Sequence, residues 1–151
     1  MKDNSIKVKI NLKSIAVPNG DIPDVLEYVT DGTLTRIERD GREGWQIRYQ
    51  DGEMTGFPGS STELICIDDD MAQMSRVGDF TQSITMETGK HRKCDYSTEY
   101  GRMVLGVYAK HISNAITDKG GNLFLNYTLD ANGILLTENR VLLTITPTSE
   151  A

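Results

Sequence analysis

Met103-Val-Leu-Gly-Val-Tyr-Ala109, Asn122-Leu-Phe-Leu-Asn-Tyr-Thr-Leu129 and Arg140-Val-Leu-Leu-Thr-Ile-Thr146 are the stretches whose reading decides the fold. In the first, Met103, Leu105, Val107 and Ala109 share one parity. In the second, Leu123, Leu125, Tyr127 and Leu129 stand against Asn122, Asn126 and Thr128. In the third, Val141, Leu143 and Ile145 stand against Arg140, Thr144 and Thr146. Alternation with a period of two is the mark of half-buried β-strands, because successive strand side chains point to opposite faces. The drier face of each has to be covered or rolled inward.

The same pattern extends toward the N-terminus. Ile6, Val8, Ile10 and Leu12 alternate with Lys7, Lys9, Asn11 and Lys13, giving a strand whose outer lysines deter edge-to-edge pairing. After the turn cluster Pro18 to Pro23, the segments Val25 to Thr30 and Thr33 to Arg39 read as one long strand bent at Asp31-Gly32, in preference to two. Asp40-Gly41 is a hairpin signal, and Trp45, Ile47 and Tyr49 share a face beyond it. Asp51 to Ser61 holds three glycines and a proline and reads as the longest loop. Thr62 to Ile67, Met71 to Val77, Gln82 to Thr88 and Cys94 to Tyr100 are short strand candidates, and a short helix is expected at Ile112 to Asp118. Turn signals recur every 8 to 12 residues or so, the spacing of a sandwich or barrel. With no long crossover for a parallel βαβ sheet, the expected fold is all-β: one domain over residues 1–151, forming an antiparallel up-and-down barrel of about 8 to 10 strands. Two packed sheets share the same local pattern and are the alternative.

Composition limits what such a domain does. A net charge of −6, with a single short basic cluster, argues against wrapping nucleic acid or lying on an anionic membrane. The lysine-punctuated N-terminus has no continuous apolar run like that of a secretory signal, and no stretch reads as a membrane-spanning helix. Two cysteines, Cys66 and Cys94, are too few to staple a domain of this size and fit a reducing cytoplasm.

The string Gly56 to Thr62, Arg76 with Gly78, Met86-Glu-Thr-Gly89, Tyr96-Ser-Thr-Glu-Tyr-Gly101 with Leu105-Gly-Val107, and Gly120-Gly-Asn-Leu123 before Tyr127 resembles, in its order, the YwiB-like family of bacterial β-barrel proteins. The resemblance runs from about Lys7 to Thr146 and departs from the family pattern at Met86, where an aromatic residue is more usual, and at Pro58. It implies a calycin-like barrel related in shape to lipocalins and fatty-acid-binding proteins. It implies no activity.

No residue pattern points to catalysis, a metal or a cofactor. His91-x-x-Cys94 is half of a zinc site at best, and Asp68-Asp-Asp70 lacks the spread of ligands that calcium takes. Lys90-His-Arg-Lys93 reads as a wet turn beside an apolar strand, with phosphate or carboxylate binding as the alternative. Gly56-Phe-Pro-Gly-Ser-Ser61 is neither a nucleophile elbow nor a phosphate loop. The expectation is a non-enzyme, and the interior is what remains. Trp45, Tyr49, Tyr96, His111, Leu125 and Tyr127 are the luminal candidates: large apolar surfaces with a few polar tips, the combination that orients a small, largely apolar ligand. The same tyrosines suit a filled core. In that case the barrel would work as a structural or interaction module, such as a homodimer, through the long loop or outer-face residues such as Phe57, Phe124 and Leu142.

Overall fold

Ten strands follow one another along the chain in a computed structural model that describes residues 5–18, 22–50, 61–77, 82–98 and 101–148. They are β1 (Ser5–Pro18), β2 (Asp24–Arg39), β3 (Arg42–Gln50), β4 (Ser61–Ile67), β5 (Met71–Val77), β6 (Gln82–Glu87), β7 (His91–Thr98), β8 (Gly101–Thr117), β9 (Gly120–Ala131) and β10 (Ile134–Pro147). Each pairs antiparallel with its sequence neighbour, except across the β6–β7 junction, and β1 also pairs with β10 from Val8↔Pro147 to Pro18↔Thr137. The single sheet therefore curls into the expected up-and-down barrel. It is nearly closed. Among the described residues, the seam between β6 and β7/β8 has one isolated bridge, Thr88↔Ala109, with the Gly89 amide donating to the Ala109 carbonyl at 2.9 Å.

Turn chemistry sets the register. Asp40 and Gly41 have φ of 54° and 78°, and Asn132 and Gly133 have φ of 54° and 82°, the left-handed pairs that match the twist of a two-residue hairpin. β2 is one continuous strand through Asp31-Gly32. Gly32 is needed for closeness: a Cβ there would fall on the Arg48 carbonyl oxygen and 2.7 Å from Ile10 Cδ1. Its missing side chain lets Ile10 and Tyr49 pack across the sheet. The expected helix at Ile112 to Asp118 is instead the last part of β8. Ile112 and Ile116 are four apart, which suits one helical face, but they are also two alternations apart on a strand, and both are buried. The loop expected from Asp51, including Phe57, lies up to residue 60 outside the described residues.

The inward parity carries the core. Val8, Ile10, Leu34, Ile47, Leu64, Cys66, Met86, Leu123, Leu125 and Leu143 are almost wholly buried in one cluster. Trp45 and Tyr49 lie on the same face of β3 four residues apart, ~13 Å at the strand rise, so they mark opposite ends of the barrel. The core fills the middle, and at the Trp45 end a more open hollow lies beside Ile6, Leu34, Arg36 and Trp45. The Tyr49 end is hollow.

Candidate functional site: a cavity at one end of the barrel

The hollow end is a cavity of about 340 Å³. Its apolar wall comes from Leu12, Met74, Ile84, Leu129 and Val141, and its polar groups are Ser14, Tyr28, Tyr49, Arg76, Tyr127, Thr137 and Asn139. These residues are assembled by parity. Leu12, Ser14 and Ala16 are alternate positions of β1, and Thr137, Asn139 and Val141 are alternate positions of β10. Cross-strand register then sets the depth. Tyr49 faces Thr62 on β4, and Thr62 faces Arg76 on β5, so the phenol and the guanidinium belong to one row around the wall. Thr62 is only 1% exposed, and its hydroxyl accepts a hydrogen bond from Arg76 Nε at 3.3 Å.

The six luminal candidates separate. Tyr49 and Tyr127 line the cavity. Leu125 is fully buried beneath it, paired with the cavity residue Val141. Trp45 is at the other end, half-buried, with the Arg36 guanidinium 5.2 Å above its ring and Glu43 ion-paired to Arg36 at 3.7 Å. Tyr96 pairs through its backbone with Met103, and its side chain lies outside the described set. His111 is not luminal. Continued parity from Ala109 would turn it inward, but a β-bulge at Lys110 inserts one extra residue between Ala109 and His111. His111 is therefore exposed on the outer face, its ring 6.1 Å from that of Phe124. The sequence reading missed Tyr28 and Arg76. Both lie on the inward parity of their strands, a signal hidden by weak alternation around them.

The polar clusters outside the barrel are tied up in structure. Arg42 bridges Asp68 and Asp70 at 2.8 and 2.6 Å, which holds its guanidinium above the ordinary arginine range. Asp69 accepts the Asn114 amide at 2.8 Å. The three aspartates thus fasten the β4–β5 turn to β3 and β8. In the basic cluster, Lys90 and Arg92 pair with Glu87, and His91 Nε2 lies 2.7 Å from Asp130 Oδ2. His91 and Cys94, three apart on a strand, face opposite sides: His91 is exposed outside and Cys94 packs half-buried against the core. On the outer face near His111, hydrogen bonding from Lys110 and the nearby charge of Arg140 hold the Glu138 carboxyl below its usual range.

Both cysteines are free thiols. Burial pushes the Cys66 thiol up to about 12, and burial first, then the Asp95 charge, raises that of Cys94. Since the thiolate is the reacting form, iodoacetamide at pH 8 is expected to alkylate Cys94 slowly and Cys66 not at all in folded protein, and both in urea. Intact-mass analysis would show it; two adducts on folded protein would contradict the burial of Cys66.

The barrel is similar to that of the YwiB protein from Bacillus subtilis. That crystal structure matches over 97% of this chain and 95% of its own with a TM-score of 0.76 and 14% identity, a likeness of fold. None of the curated proteins matches. Among the described residues no helix is long and apolar enough to cross a membrane. The family model described as a domain of unknown function, DUF1934, matches residues 10–143, from Ile10 of β1 to the last buried leucine of β10, and the chain belongs to that family.

Proposed function

We propose that the protein is a non-catalytic, cytoplasmic binding protein that holds one small, largely apolar molecule in the lumen of its barrel. The observation that carries this reading is the 340 Å³ cavity with its apolar wall and clustered hydroxyl, amide and guanidinium groups. Sites for small ligands have this size and this mixture: apolar area supplies affinity and a few placed polar groups supply orientation. The two histidines lie on the outer surface, away from this lining. Two free thiols suit a reducing compartment.

The test is native mass spectrometry of gently purified protein against the same sample denatured. A non-protein mass that leaves on denaturation is expected. Tyr127→Trp, which projects a larger ring into the cavity, should lower that occupancy at least threefold while the protein stays folded. Undiminished occupancy in this variant would place the ligand elsewhere.

A second reading is self-association through the outer face of β1, β2 and β10. Val25, Val29 and Leu142, 64%, 56% and 37% exposed, favour it. Sedimentation velocity showing a monomer up to high concentration would remove it.

A further inference from the structure

β1 lies between β2 and β10 and is paired along both edges, so its outward lysines guard no strand edge. Lys7, Lys9 and Lys13 stand exposed on its outer face, and β2 carries the opposite charge at two of the matching positions: Lys9 is directly across from Asp31, and Lys13 from Glu27. The same register sets Asn11 beside Val29 and Ile15 beside Val25, with Leu142 of β10 on the other side of Lys13. Both valines are more than half exposed. The charges face water as well. Lys9 and Asp31 stand 3.8 Å apart with 58% and 83% of their side chains exposed, and Lys13 and Glu27 form no ion pair among the described residues. Pairs this exposed add little to the fold.

Resting on the self-association reading above, we infer that this face meets a second copy of the chain about a two-fold axis that runs along the β1–β2 ladder near Lys13 and Glu27. A two-fold in the plane between two facing sheets, parallel to their strands, exchanges left and right but keeps the level along the strand. β1 of one copy then faces β2 of the other, row for row. Lys13 meets the partner's Glu27, Lys9 meets the partner's Asp31 and Ile15 meets the partner's Val25, and the axis makes each contact twice. Burial of Val25 and Val29 supplies affinity, and the charges set the register. Setting β1 against β1 would stack lysine on lysine. A partner of one sign, polyanion or polycation, would leave one of the two stripes against like charge, whereas a second copy satisfies both.

Sedimentation velocity over a wide range of protein concentration, in low and in high salt, tests the arrangement. Wild-type protein should form a dimer whose dissociation constant rises at least fivefold in high salt, because the pairs are screened. Lys13→Glu and Glu27→Lys should each weaken it at least tenfold, since each sets like charges together on both sides of the axis. The two changes combined restore opposite charges and should recover most of the loss. All three variants alter exposed side chains, and their urea midpoints should stay close to that of the wild type. A wild-type dimer indifferent to salt overturns the role of the charges without needing any variant to fold. A dimer unmoved by either single reversal, or a combined variant as weak as the single ones, overturns the β1–β2 arrangement and leaves self-association through another part of the surface standing. A monomer at every concentration and salt overturns the inference and the self-association reading together.

Discussion

Leu123→Ala is expected to destabilise the protein by about 3 to 4 kcal/mol in urea unfolding. Leu123 is fully buried in the barrel core, on β9 between Leu143 of β10 and Asn114 of β8. Removing its branched end loses transfer free energy and leaves a cavity, and the cost depends on how far the surroundings collapse; buried leucines lose about 2.7 to 5.0 kcal/mol in this substitution. A barrel wall fixed by regular pairing on both sides of Leu123 relaxes little, which places Leu123 in the middle of that range or above. The control is one strand away. Leu142 precedes Leu143 on β10 and, by parity, lies on the outer face with 37% of its surface exposed, so Leu142→Ala should cost under about 1 kcal/mol. Similar losses from the two variants would mean that the inward parity of the C-terminal strands has been misassigned.

That parity was the most legible part of the sequence. Alternation at Leu123, Leu125, Tyr127 and at Val141, Leu143, Ile145 fixed two strands and their faces, because a strand with one buried face tolerates no slip of register. Asp40-Gly41 was readable for a related reason, since few residues adopt left-handed φ without cost. Bulges were not readable. Lys110 is an ordinary strand residue by composition, and the one-residue insertion that turns His111 outward leaves no mark in its own segment, only in the pairing with Asn126 and Tyr127. The site was half legible. Tyr49 and Tyr127 announced themselves as polar tips on apolar parities, whereas Arg76 occupies an inward position that rules of composition assign to the surface. Which end of the barrel is hollow depends on side-chain volumes summed across nine or ten strands, a quantity no single strand carries. Trp45 and Tyr49 show the point: one face, one strand, two different ends.

Gly121→Ala should cost about 3 kcal/mol or more, rivalling the loss of a core leucine without removing any apolar surface. Gly121, the second residue of β9, has φ of 141°, in the region that L side chains rarely adopt, and a Cβ built on it falls on the carbonyl oxygen of Ala115 in β8. The first effect alone costs about 1 to 3 kcal/mol at a position held by its surroundings. The second cannot be relieved by rotating a side chain, because the obstacle is backbone in the adjacent strand, where Gly121 pairs with Ile116 and Ile145. Either β9 shifts and breaks both ladders, or the strain stays. Gly133 separates the two effects. Its φ of 82° is also left-handed, but nothing lies within 4 Å of a Cβ built there, so Gly133→Ala carries the conformational cost alone, about 1 to 2 kcal/mol. Urea midpoints at unchanged slope, compared for the two variants, measure the difference. If Gly121→Ala were no worse than Gly133→Ala, β8 and β9 would not approach as closely as the pairing of Gly121 with Ile116 requires.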